Sequence, residues 1–303
     1  MKPASVGVLL LGGLVLAGSG FAQQRIEPPG PLEPRSSGNP LIREGDAHFN
    51  RRQDKRVGAV ADKGEIAAAV RAYDTAAEAP DSSEARWKLM RALVFQALYT
   101  NLDLDRKQAV LEKVRRVSED GVGLLERRAR RAGGSDFSNA SPEEIADMVR
   151  KESDAPPIFY WAAASWGQWA LARGKEAATK VGAADKIRIY ASVVSSLDPR
   201  FEDAGGYRIL GRVHDLAPRM QGETQWASHS EALRYLRLAV ATDRASLVNR
   251  LYLAESLSTG SPSEKTEAID LAKGITADAP SPNRLVEDLS TQNTAAADLR
   301  AWK

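Results

Sequence analysis

From residue 41 onward the chain is built of helix formers, and glycine, proline and aspartate interrupt it at intervals of ordinary helical length. Ala, Leu, Arg, Glu and Lys dominate, and no stretch alternates β-branched apolar residues with polar ones. A chain of this kind has packed helices as its main route to burying apolar surface. The breakers predict helices over 41–54, 63–79, 82–100, 105–132, 142–151, 156–173, 183–197, 205–217, 227–241, 245–258, 263–277 and 282–299. Several starts carry capping chemistry. Ser141-Pro142-Glu143-Glu144 offers an N-cap serine, a proline at the first helical position and a glutamate three residues after the cap. Ser261-Pro262-Ser263-Glu264 has the same form, and Asp81-Ser82-Ser83-Glu84 is a third candidate.

The helices share an internal spacing. Ala69, Tyr73 and Ala76 match Ala232, Leu236 and Ala239, and also Ala268, Ala272 and Ile275. Pro80 and Pro280 follow the first and last sets. Small residues three and four apart let neighbouring helices approach closely. Trp87, Met90 and Val94 mark the other helix of one such pair, and Arg250, Leu253, Ala254 and Leu257 that of another. The pattern resembles the tetratricopeptide repeat, whose unit is about 34 residues. The expected fold is all-α, an α-solenoid of tetratricopeptide-like helix pairs, with a non-repetitive helical bundle as the alternative.

The N-terminus reads as export machinery. Lys2 precedes an apolar run from Val6 to Leu16, and Gly20 and Ala22 sit at the −3 and −1 positions of a cleavage site. This is the pattern of a secretory signal peptide, too short to be a stable membrane span. The expected organisation is a signal peptide over 1–22, a Pro-rich flexible linker over 23–40 and a helical repeat domain over 41–303. Leu16-Ala17-Gly18-Ser19 has the form of a lipoprotein box with serine in place of cysteine. The 303 residues hold no cysteine, so a thioether lipid anchor, disulfides and thiolate metal sites are excluded. The expectation is a periplasmic protein, exported, cleaved near Ala22 and not lipid-anchored.

Charge narrows the partners. Lys and Arg number 42 against 40 Asp and Glu, and a net +2 carries no nucleic-acid signature. The one basic cluster, Arg127, Arg128, Arg130 and Arg131, ends a helical pattern before Gly133-Gly134. There cations complement the helix dipole.

Three blocks carry a family resemblance: APPIFYWAAASWGQWALARG at 155–174, AGGYRILGRVHDLAPR at 204–219, and SEALRYLRLAVATDRASLVNRLYLAESL at 230–257. In this order they resemble the TRAP transporter TatT component family of periplasmic tetratricopeptide proteins. The pieces that carry it are Tyr160-Trp161 with Trp166-Gly167, Tyr207-Arg208 through Gly211-Arg212 with Pro218, and Asn249 to Glu255. The resemblance implies a helical repeat protein that works beside a tripartite transporter, contacts its solute-binding protein and contains a ligand-accessible channel. Many relatives are lipoproteins, and Ser19 departs from them.

No catalytic motif stands out: there is no G-x-S-x-G, P-loop or H-E-x-x-H. The expectation is therefore a non-enzymatic protein without cofactor or metal. His214-Asp215 are neighbours on a helix and point about 100° apart, so they do not chelate together. The candidate ligand-binding residues are Tyr160, Trp161, Trp166, Trp169, Arg208 and Arg212. The aromatic helix has two readings: a central helix buried on all sides, or one flank lining an apolar pocket with Trp166 or Trp169 on its wall. Arg208 and Arg212, four apart, either clamp a ligand carboxylate or pair with acids such as Glu202 and Asp203. Expected partners are a periplasmic solute-binding protein or another envelope protein, a small hydrophobic or organic-acid ligand, and a second copy of the chain. The alternative function is a general interaction scaffold with no small ligand.

Overall fold

A computed structural model describes residues 38–217 and 225–302. The expected signal peptide and nearly all of the linker lie outside the described residues, as does Pro218. The segment from Ser37 onward forms one compact unit. Among the described residues there are thirteen α-helices and no strand beyond two isolated bridges. In order they are α1 (Pro40–Asn50), α2 (Lys63–Ala77), α3 (Ser83–Tyr99), α4 (Leu104–Arg131), α5 (Pro142–Val149), α6 (Ala155–Arg173), α7 (Lys175–Lys180), α8 (Ala183–Leu197), α9 (Phe201–Leu216), α10 (His229–Thr242), α11 (Leu247–Leu257), α12 (Pro262–Ala277) and α13 (Leu285–Ala301).

Local chemistry sets most boundaries. The boxes at α5 and α12 form as reciprocal bonds: Glu144 N–H donates to Ser141 Oγ at 3.2 Å, and Ser141 N–H to Glu144 Oε2 at 2.7 Å. Ser261 and Glu264 repeat this geometry. The third candidate does not form. The helix starts at Ser83, so Ser82 is the N-cap and Glu84 falls at the second rather than the third helical position; Ser82 caps nothing with its side chain, Glu84 pairs with Lys88 at 2.7 Å and Ser83 donates to Asp154. The sequence did not indicate α7. Its six residues are too few to show a period, and Gly174 and Gly182, both at positive φ, bracket it.

Each helix packs mainly on its neighbours in sequence, with two skips: α4 lies on α6 and α6 on α8, while short α5 and α7 sit to the side. α6 is enclosed by α3, α4, α8 and α9, which accounts for its apolar residues on all sides. The spacing shared by Ala69, Tyr73 and Ala76 with the sets on α10 and α12 marks core positions, each 2% exposed or less. Burying one leucine there, Leu236, contributes about 1.5–3 kcal/mol. α9 and α10 approach most closely at Gly211, where any Cβ would run into Leu236 and the Ala232 carbonyl.

The first and last described α-helices are tied together. Arg52, just past α1, pairs with Glu287 at 2.9 Å and donates to the Asn283 carbonyl at 2.8 Å. Gln53 donates to the Pro282 carbonyl at 2.6 Å and accepts from Leu285 N–H at 2.9 Å. α1 and α13 thereby close the helical array around an interior space.

Candidate functional site

That space is a cavity of about 560 Å³, inside the ~300–1,000 Å³ range of small-molecule sites. α3, α6, α9, α11 and α13 line it, with the end of α1. α6 contributes Tyr160, Trp161, Ala164, Gly167, Gln168 and Leu171, positions that recur every three or four residues and share one face. Ile209, Val213 and Leu216 of α9, Val94 and Leu98 of α3, and Val248 of α11 complete an apolar wall. Leu171, 64% exposed, marks an opening to solvent. Polar groups gather at the starts of α6 and α9: Arg52, Arg91, Glu202, Arg208, Arg284 and Glu287 all line this part.

Arg208 organises that polar end. It is 5% exposed and no carboxylate pairs with it among the described residues. Its Nη2 donates to the Tyr160 hydroxyl at 2.6 Å, and its Nη1 to Asn249 Oδ1 at 2.8 Å and to the carbonyls of Glu202 and Asp203 at 3.1 and 3.3 Å. Those carbonyls belong to an unusual turn. Glu202, Asp203 and Ala204 all adopt left-handed backbone, with φ of 48°, 57° and 63°, each at a cost of about 1–2 kcal/mol for a residue with a Cβ. Regular helix starts only at Gly205. Asn249 Nδ2 also donates to the Asp203 carbonyl, at 2.7 Å, and Arg284 pairs with the Asp203 carboxylate. Gly205 and Gly206 let the turn sit directly on the Tyr160 ring and on α8, where any Cβ would collide. Burial holds the Tyr160 phenol above its ordinary pKa, the nearby Arg208 charge opposing in part.

The other sequence candidates divide. Tyr160 and Trp161 line the cavity, and Trp161 Nε1 is buried without a hydrogen-bond partner. Trp166 and Trp169 do not line it. Two residues along a helix is a turn of about 200°, so Trp166 points away from Ala164, toward α4 and α8. Lys186 lies 4.2 Å from the Trp166 ring centre, and Trp169 donates its indole N–H to Glu112 at 2.7 Å. Both rings belong to a packed cluster, with their centroids 5.5 Å apart. Arg212 reaches the cavity but is held by Glu255 at 2.7 Å, over the Tyr252 ring. Arg208 and Arg212 are thus both engaged within the fold. Arg208 takes the Glu202 and Asp203 carbonyls rather than their carboxylates.

Sequence reasoning missed Arg52, Arg91, Arg284 and Glu287. Arg52 and Glu287 are 235 residues apart, and no local pattern connects them. His214 is 6% exposed, stacks on Tyr235 and meets Trp226 edge-on, and burial lowers its pKa. No group of three or more His, Asp or Glu among the described residues is placed to hold a metal. No described helix is long and apolar enough to cross a membrane. The basic cluster ending α4 is paired with acids: Arg128 with Glu152 at 2.8 Å and Arg130 with Asp136 at 2.6 Å.

Fold and site define an all-helical protein whose terminal helices close around an amphipathic cavity. No protein-family model matches the chain, and no curated protein matches its sequence.

Proposed function

We propose that this is a non-enzymatic binding protein of the bacterial periplasm, built of tetratricopeptide-like helix pairs, whose cavity takes up a small, largely apolar solute. The cavity carries the reading: its volume suits a metabolite, its walls are mostly aliphatic, and a few polar groups converge at one end. The blocks at 155–174, 204–219 and 230–257 support a role beside TRAP-type uptake, through contact with a solute-binding protein. The leader-like N-terminus supports export.

Gly167 supplies the test. It lines the cavity, and a Cβ built there meets nothing within 4 Å. Gly167→Leu therefore projects into open space, and removing a mid-helix glycine contributes up to about 1 kcal/mol of helix propensity. The melting temperature should hold or rise. Apolar solutes and organic acids that stabilise the wild type should no longer stabilise the variant. Equal solute responses in the two proteins would sink the reading. The scaffold reading draws on Val57 and Val60, which pair across one turn and are 81% and 45% exposed. On that account no solute shifts the melt of either protein. A permease and solute-binding protein encoded beside this gene would favour the transport role.

A further inference from the structure

We infer that the cavity selects a monoanionic amphiphile, with the anionic head on Arg91 and the apolar tail along α6 and α9; this rests on the cavity being a ligand site. The charges at the polar end can be followed one by one. Arg52 is paired with Glu287, Arg284 with Asp203, and Arg212 with Glu255. Arg208 directs its donors to carbonyls, Asn249 and Tyr160. The Glu202 carboxylate lies in the field of Arg284. That leaves Arg91, a half-buried cavity-lining cation with no carboxylate partner among the described residues.

Arg91 is nonetheless held in place. Its guanidinium carbon lies 3.9 Å from the centre of the Phe49 ring and 5.1 Å from that of Trp87. Trp87 is itself fixed by its indole N–H on Asp154 at 3.1 Å. The Tyr73 hydroxyl accepts a hydrogen bond from Arg91 and donates to Asp46 at 2.7 Å, and Asp46 shares Lys88 with Glu84, each at 2.7 Å. The aromatic faces and the Tyr73 oxygen orient the cation without supplying the carboxylate its planar fork is made for. Arg91 Nε is buried with no partner, and so is Trp161 Nε1 of the cavity-lining α6. A cavity-lining cation with no carboxylate partner among the described residues and a buried, unsatisfied Nε, beside an aliphatic space, fits an oxyanion head such as a carboxylate.

The probes are decanoate and decan-1-ol, which share a tail, with decyltrimethylammonium as the opposite charge. Titration of the purified mature protein by calorimetry should show decanoate binding about tenfold or more tighter than decan-1-ol, and the cation weakest. Arg91→Met should erase the decanoate preference and leave decan-1-ol affinity unchanged. Arg91→Lys, which keeps the charge without the fork, should retain part of it. Should Arg91→Met not fold, the wild-type preference and Arg91→Lys decide. Decan-1-ol binding as tightly as decanoate would overturn the head assignment while the cavity reading stands. So would a preference that survives Arg91→Met and is lost in Lys175→Met, at the exposed rim. Absence of binding by all three probes overturns both.

Discussion

Arg208→Met is the sharpest test of how the left-handed turn is held. The substitution keeps an unbranched stem of similar reach as far as Nε and removes every donor. Three acceptors then lose their partner: the Tyr160 hydroxyl, Asn249 Oδ1 and the Glu202 carbonyl. The Asp203 carbonyl keeps its bond from Asn249 Nδ2. An unsatisfied buried acceptor costs about 1–3 kcal/mol, and removing a buried guanidinium that no carboxylate compensates returns part of this. The net loss is about 2–4 kcal/mol. At about 2–4 °C per kcal/mol for a chain of this size, the melting temperature should fall by roughly 4–16 °C. Differential scanning calorimetry of the purified protein reads this directly.

The control is Tyr160→Phe, which removes one hydroxyl and leaves a single Arg208 N–H short of a partner. It should lose about 1–2 kcal/mol. Because the two groups are bonded to each other, the double variant should lose less than the sum of the single losses. A melt of Arg208→Met within 2 °C of wild type, or strict additivity in the cycle, would show that the turn is held by other contacts.

The remaining predictions are briefer. Ala239, fully buried on α10, has no room for a larger side chain, so Ala239→Leu should overpack its contacts by about 1–3 kcal/mol and lower the melt; an unchanged melt would argue against close helix packing there. Burial raises the pKa of Glu255, with Arg212 opposing and Asp298 adding to it. A raised acid is more protonated in the folded chain, so its contribution is complete below the ordinary carboxylate range near 4.3 and is lost as pH rises through the shifted value. The stability of wild type relative to Glu255→Gln should therefore increase as pH falls from 8 to 5, and a pH-independent difference would contradict it. His214 is depressed by burial and works in the opposite sense, losing stability as pH falls below its ordinary range, which is why the difference between the two proteins is the quantity to measure. Intact-mass analysis of the exported protein should find an N-terminus near Gln23 without acylation, and a retained leader would refute that reading.

Helix existence was legible because it depends on local signals. The boxes at Ser141 and Ser261 are complete within four residues, and the Ala-rich spacing on α2, α10 and α12 repeats within one helix each. The start of α9 was placed at 205 from sequence, and regular helix does begin there, after a turn no propensity would favour. Glu202 and Ala204 are residues that left-handed backbone disfavours, and only Asp203 is of a type enriched there. What stabilises them is Asn249 and Arg284, from α11 and from the turn before α13. The third capping box failed because the helix starts one residue late for it, with Ser82 as the N-cap and Glu84 at the second helical position.

The site was legible only along α6. Its aromatic crowding drew attention to the right helix, and the period then decides which rings face the interior. Tyr160 and Trp161 share the face of Ala164, Gly167 and Leu171, while Trp166 and Trp169 stand off it. Large rings were weighed as pocket walls, yet the wall is formed mainly where α6 is small, at Ala163, Ala164 and Gly167. The tryptophans instead supply the packing that keeps α6 in place between α4 and α8. The charged end was hidden because its members come from α1, α3, α9 and the turn before α13, and because an arginine's role depends on what already occupies it. Arg208 and Arg212 looked available and are engaged. Arg91 sits in an unremarkable helical stretch, WKLMRALVF, and only the tertiary structure shows it flanked by Phe49 and Trp87. Unsatisfied charge is a property of the assembled fold, so it was the part of the site that local sequence patterns were least able to show.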